Sequence, residues 1–217
     1  IIELTEQANY GARTTHLHHV STAYAAGDIV GTVSPDSLDI AGNFRNTYEQ
    51  SKAEAEALIR SAAGSLPFTI YRPSCIVGDS VTGQISGFNL MYIICRYVAK
   101  GLIEAVLGTP DAPCDIVPVD YVSDSIAQLS KLRAQKNAAY HLCAGSGRES
   151  NPREILDAVV GLFNRYQKGG LRLLRQTALI SPEVFALAHH GLSVSRQIAI
   201  QGVNSLEKIR HRRPELF

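Results

Sequence analysis

Asn46-Thr47-Tyr48-Glu49-Gln50-Ser51-Lys52-Ala53-Glu54, continued through Arg60, broken by Pro67 and followed by Phe68-Thr69-Ile70-Tyr71-Arg72-Pro73-Ser74, is the stretch from which the fold is read. Asn46 with Glu49 three residues on makes a capping-box pattern, so a helix starts there or one turn earlier. Ala53 to Arg60 is a run of strong helix formers. Pro67 ends the helix, and Phe68 to Tyr71 is a buried strand. Upstream, Thr15 to Ser21 is a second strand, running into Ala23, Ala25, Ala26 and Gly27 and then into a Gly-, Ser-, Pro- and Asp-rich loop to Gly42. Strand, helix and strand in that order build a parallel sheet covered by helices.

The same alternation extends both ways. Ile1 to Ala8 reads as the back half of a helix with no start signal, so the chain is expected to begin inside an element. Past Ser74 a loop punctuated by Gly78, Gly83 and Gly87 is placed to close over a ligand. Leu90 to Lys100 is helical and stops at Gly101; Ile116 to Val119 is a short strand, with Asp120 as the cap of a helix through Leu132. Ala139 to Cys143 is another strand. Asn151-Pro152-Arg153-Glu154 opens a helix with cap, first-turn proline and acid all in place. Beyond Gly169-Gly170 a mainly helical tail is expected, with Pro182 near the start of one helix and Pro214 near the end of another. There is no internal repeat.

Composition sets the frame. The 217 residues, 45% hydrophobic and 19% charged, describe an ordinary globular chain of one domain, or one domain with a small appendage. A net charge of +1 gives no field for nucleic acid or an anionic membrane. The basic run Lys208 to Arg213 reads as a solvated helix end. Cys75, Cys95, Cys114 and Cys143 form no Cys-x-x-Cys pair, against a zinc site or a disulfide framework, and a reducing cytoplasm is the simplest compartment. No signal peptide is visible at Ile1, and the apolar run Phe88 to Val98 is far shorter than a membrane span.

The helix and strand ends also carry chemistry. Tyr48 and Lys52 lie four residues apart on one helical face, where the ammonium favours the phenolate. A hydroxyl at Ser21 or Thr22, at the end of a strand, can hold a reacting carbonyl oxygen beside that phenol. Together they describe a carbonyl-reducing site that needs a hydride from a bound cofactor. His16 and His18 share a strand face, yet no carboxylate or cysteine at suitable spacing joins them, so a packed or solvated role is expected and no metal site. His189 and His190 point apart on a helix. Cys75 has no activating histidine and reads as a small buried residue.

His19-Val20-Ser21-Thr22-Ala23-Tyr24, Tyr48 to Glu54, Tyr71-Arg72-Pro73-Ser74, Gly78-Asp79-Ser80-Val81-Thr82-Gly83 and Pro118 to Val122 together resemble the extended short-chain dehydrogenase/reductases, over about residues 1 to 145. Within them the chain is similar to the thioester reductase-like branch, which includes fatty acyl-CoA reductases and the terminal reductase domains of carboxylic acid reductases and peptide synthetases. The resemblance implies a Rossmann-type α/β parallel sheet with a mainly helical substrate-binding subdomain. Residues 1–80 would be the C-terminal half of a dinucleotide-binding domain, and 81–217 a substrate-binding region interleaved with late Rossmann elements. It implies that Thr22 binds the carbonyl with Ser21 as its neighbour, that Tyr48 donates the proton, and that Lys52 holds the nicotinamide ribose. Pro73, Ser74 and Cys75 would approach the nicotinamide of NADP, or of NAD. The implied substrate is an acyl thioester on CoA or a carrier protein, reduced to aldehyde or alcohol. A sugar-nucleotide epimerase or dehydratase, a hydroxysteroid-type dehydrogenase, or a cofactor-less binding or scaffold module are the alternatives.

One departure from the family pattern is as informative as the match. The glycine-rich turn that receives the pyrophosphate is missing; Gly145-Ser146-Gly147 imitates it but lacks the third glycine and falls on the substrate side. The expectation is therefore the C-terminal part of a longer reductase that, alone, binds dinucleotide poorly and exposes a sheet edge that invites self-association.

Overall fold

The structure is a computed structural model and describes residues 1–8, 15–36, 42–62, 64, 66–100, 102–103, 105–132, 137–166 and 178–180. The tail beyond residue 180, with Pro182, His189, His190, the Lys208 to Arg213 run and Pro214, lies outside the described residues, as do Gly169 and Gly170. Two compact units divide the chain: Ile1–Gly87 with Asp115–Glu149, and Phe88–Cys114 with Ser150–Phe217.

The first unit opens with helix α1 (Ile2–Gln7) and strand β1 (Leu17–Val20), followed by a 3₁₀ turn, Ala23–Ala26. Helix α2 (Thr47–Ser61) then leads to strands β2 (Phe68–Pro73) and β3 (Cys75–Val77). Asn46 caps α2 as expected, its Oδ1 accepting from the Glu49 amide at 2.9 Å. Glu49 reaches back one residue further than the usual box, accepting from the Arg45 amide at 3.0 Å. β2 is buried along its whole length, so its side chains show no inside–outside alternation, and Thr69 and Arg72 are buried with the rest.

β1, β2 and a later strand, β6 (Ala138–Leu142), form a parallel sheet in the order β1-β2-β6. Its register pairs Leu17 with Phe68 and Arg72 with His141. One face is packed by Ile59 of α2 against Phe68, Ile70 and Ala139. On the other, Tyr71 and Leu142 meet Val117 and Val122. Val117 belongs to strand β5 (Ile116–Pro118), which pairs in parallel with β3, and Val122 to helix α4 (Val119–Leu129). The sheet is thus apolar on both sides, the α/β arrangement the alternation predicts.

Cys75–Val77 and Ala178–Ile180 are strands where a glycine-punctuated loop and a mainly helical tail are expected, and the two boundaries of α4 differ as well. Val119 begins α4 rather than ending β5, and Asp120 is inside the helix, so it is no cap; the position before the helix is Pro118, which has no side-chain donor or acceptor to offer. The Asp120 carboxylate instead accepts from the Ser80 amide at 2.9 Å and the Ser80 hydroxyl at 2.6 Å. α4 also ends at Leu129, short of Leu132.

The second unit contains helix α3 (Leu90–Ala99), strand β4 (Ala105–Leu107), helix α5 (Pro152–Tyr166) and strand β7 (Ala178–Ile180), with β4 and β7 paired in parallel. The Asn151 cap is present, its Oδ1 accepting from the Glu154 amide at 2.9 Å. α3 and α5 pack together and border a largely apolar cavity of about 1010 Å³ walled by Phe88, Tyr92, Leu162 and Phe163. No helix among the described residues is long and apolar enough to cross a membrane.

Candidate active site

The C-terminal ends of β1 and β2 are side by side, because parallel strands end on the same edge. Ser21 extends β1 by one hydrogen bond, its amide donating to the Tyr71 carbonyl at 2.7 Å. Ser74 does the same beyond β2, donating to the Leu142 carbonyl at 3.2 Å. Both hydroxyls are buried and have no hydrogen-bond partner among the described residues. Thr22 is 4% exposed; its hydroxyl accepts from the Tyr24 amide at 3.3 Å, capping the 3₁₀ turn, and donates to the Pro73 carbonyl at a long 3.5 Å. Bonds of that length are weak. Three hydroxyls therefore sit at this edge with little to hold them.

α2 packs against the 3₁₀ turn, which brings its first turns to the same edge. Lys52 donates to the carbonyl of Val20, the last residue of β1, at 3.3 Å, and its Nζ lies 6.0 Å from the centre of the Tyr48 ring. Tyr48 is 54% exposed, and its phenol has no hydrogen-bond partner among the described residues. Tyr48 and Lys52 are thus neighbours on one helix, and Lys52 is bonded to the strand end from which Ser21 and Thr22 emerge. No hydrogen bond joins the Tyr48 phenol to Thr22, whose hydroxyl is bonded to Tyr24 and Pro73. Pro73 closes β2, and Cys75, half-buried, opens β3 with its amide donating to the Asp115 carbonyl at 3.4 Å.

The chain between Thr22 and α2 is held close by Gly27. Its φ is +69°, and a Cβ there would meet the Asn43 carbonyl at 2.5 Å and the Phe44 ring at 3.2 Å. The glycine loop after β3 is likewise tight: a Cβ on Gly78 would meet the Gly83 carbonyl at 2.6 Å. Asp79 accepts from the amides of Val81 and Thr82 and from the Thr82 hydroxyl, and the bonds from Thr82 hold its carboxyl below the usual range. The bonds from Ser80 do the same for Asp120 and tie the loop to α4. Gly145 and Gly147, at φ of +88° and +79°, make a turn in which the Gly147 amide donates to the Glu149 carboxylate at 2.6 Å.

Other expected residues resolve into packing. His16 Nε2 is hydrogen-bonded to Thr69 Oγ1 at 2.8 Å and His18 Nδ1 to the Tyr71 hydroxyl at 2.9 Å, with the two imidazoles stacked at 4.6 Å. Burial pushes both imidazoles below their usual value. Cys143 is pushed up to about 11, by burial first and by Asp115 second.

One buried group escaped the sequence reading. Arg72 of β2 and Glu56 of α2 are both fully buried and joined by a two-pronged ion pair, at 2.7 to 3.1 Å. Two signals pointed to it: Glu56 lies one turn past Lys52, and Arg72 is the lone charge in the buried run Phe68–Pro73.

With this geometry in hand, the relatives can be compared. Residues 1–126 match the family described as male sterility protein. Fatty acyl-CoA reductase 1 of Xenopus laevis is 29% identical over 147 residues, covering 63% of this chain and 27% of that protein. The crystal structure of the terminal R domain from the myxalamid PKS-NRPS biosynthetic pathway is 32% identical with a TM-score of 0.54, covering 60% of this chain and 33% of that one. A UDP-glucuronic acid 4-epimerase from Bacillus cereus, 14% identical with a TM-score of 0.54 and covering 86% of this chain and 57% of its own, shares the fold. The chain spans about a third, or less, of the length of the fatty acyl-CoA reductase and of the terminal R domain named above. On a match that takes in more than half of its residues, the chain belongs to the male sterility protein family, the thioester reductase-like branch of the extended short-chain dehydrogenase/reductases.

Proposed function

We propose that this chain carries the carbonyl-reducing centre of an NADPH-dependent reductase of acyl thioesters held on CoA or a carrier protein. The observation that carries the reading is the Lys52 ammonium, beside Tyr48 and bonded to the strand end from which Ser21 and Thr22 emerge. The residues present fit the nicotinamide end of a dinucleotide: Ser21 and Ser74 have buried hydroxyls in need of partners, and Lys52 places an ammonium donor at the same strand end. Ser21, Lys52, Pro73, Ser74 and Cys75 would hold it, with Tyr48 alongside. When bound, the dinucleotide supplies a hydride to the acyl carbon.

Thr22 and Tyr48 hold the acyl oxygen through their hydroxyls and stabilise the charge that develops on it. Giving up the 3.5 Å bond to Pro73 costs Thr22 little. The carbon–sulfur bond breaks as the oxygen re-forms the carbonyl, and the departing thiolate takes the phenol proton of Tyr48, so the products are an aldehyde and a thiol. In this reading residues 1–80 belong to the dinucleotide-binding domain and 81–217 supply the substrate-binding region, where the cavity between α3 and α5 offers apolar walls to an acyl chain.

The test is to incubate the full-length protein with an acyl-CoA and NADPH and follow NADPH absorbance. Consumption that is lost in Tyr48→Phe supports the assignment. A folded protein that binds NADPH and leaves thioesters untouched sends the search to other carbonyl substrates. A folded protein with no affinity for either dinucleotide is a scaffold, and the proposal fails.

A further inference from the structure

Glu56 and Arg72 take no part in the chemistry just described, yet neither side chain reaches solvent. Arg72 Nε donates to both Glu56 oxygens, at 3.0 and 3.1 Å, and Nη2 donates to Oε2 at 2.7 Å. Such a fork fixes distance and angle together. A buried pair of this kind adds little stability over apolar residues of the same volume. Here the surroundings are poor as well: Arg72 Nη1, Arg60 Nε, His19 Nε2 and His141 Nε2 are buried around it with no hydrogen-bond partner among the described residues. Stability is a weak reason for this arrangement.

Placement is a better one. Glu56 lies one turn beyond Lys52 on α2, and Arg72 immediately precedes Pro73, whose carbonyl accepts from Thr22. The apolar anchor of α2 on the sheet, Ile59, lies in its second half. Its first half buries only Glu49, which closes the cap, and Ala53, which has a single methyl group to pack. Apolar contact with the sheet is thus concentrated in the second half of α2, and the fork adds a directional tie close to the turns carrying Tyr48 and Lys52. Arg60, 3.9 Å from Glu56, extends the grip by donating to the Pro35 and Asp36 carbonyls at 2.9 and 3.4 Å.

We propose that Glu56 and Arg72 are positioning residues, whose fork holds Tyr48 and Lys52 in place over the strand ends that present Thr22 and Ser74. The inference rests on the reductase reading.

The double variant Glu56→Leu/Arg72→Met in the full-length protein separates placement from stability. Either single change strands a buried charge and lowers Tm by roughly 10 °C; the double change removes both charges and recovers most of that loss. If the fork positions the site, the double variant has a kcat lower by about tenfold or more with KM for the thioester little changed. A double variant with the parental kcat overturns the proposal. Should that variant not fold, Arg72→Lys, which keeps the charge without the fork, decides on the same readouts. A parent protein inactive on every thioester defeats the reductase reading instead. Amide exchange across residues 48–53 then decides the positioning claim: faster exchange in the double variant upholds it, and unchanged exchange overturns it.

Discussion

At the scale of single residues, the site depends on groups whose bonding is deliberately slack. Tyr48 is more than half exposed and its phenol has no hydrogen-bond partner among the described residues, so its hydroxyl contributes little to folding. Tyr48→Phe is expected to leave Tm within a degree or so while lowering thioester reduction by about 10²- to 10⁴-fold, read from NADPH consumption beside a thermal melt. Loss of activity accompanied by a large fall in Tm would mean that the phenol is structural. The spacing of Tyr48 and Lys52 was legible because a helix puts every fourth residue on one face. Arg72 left a trace as the lone charge in a buried strand, but its pairing with Glu56 was not legible, since a charge in a helix reads as solvated until the packing shows that it is buried.

At the scale of elements, two local devices shape the entry into α2. Asn46 accepts from the Glu49 amide at its start, and Asn46→Ala is expected to cost about 1 kcal/mol in urea unfolding. Gly27, one residue past the 3₁₀ turn, lets the Asn43 carbonyl approach where any side chain would collide with it. Gly27→Ala also puts an L-residue at a φ of +69°, so it is expected to cost about 1–3 kcal/mol and to lower activity more than Asn46→Ala does. Comparing both variants by urea midpoint and by rate checks the ordering; equal rates at unequal stabilities would show that the Gly27 contact does not reach the site. The capping box was legible because it is local chemistry. Asp120 was misread as a cap, because choosing between a cap and a first-turn acid depended on Ser80, forty residues away, being present to donate to it.

At the scale of the whole molecule, four imidazoles lie in or beside the first sheet, and all are held below their ordinary value chiefly by burial: His16, His18, His19 and His141. The unfolded chain takes up protons near pH 6.5, before the folded one does, so stability is greatest above that pH and falls as pH drops through it. Urea midpoints measured from about pH 7.5 down to about pH 5 should therefore decline, and His141→Gln should flatten the curve. A midpoint independent of pH would show these rings to be solvated. The strand–helix alternation of the first unit, the parallel sheet and the family were legible in the sequence itself, because caps, proline breaks, apolar runs and fixed motif spacing act over a few residues; the three-residue strands β3, β4 and β7 were not, being too short to carry a period. Which groups meet was decided only by the tertiary structure. Strands that share an edge bring Ser21, Thr22 and Ser74 together across fifty residues of chain, and burial turns Glu56 and Arg72 from two surface-like letters into one fork. Contacts of that kind follow from register and packing, which no local pattern encodes.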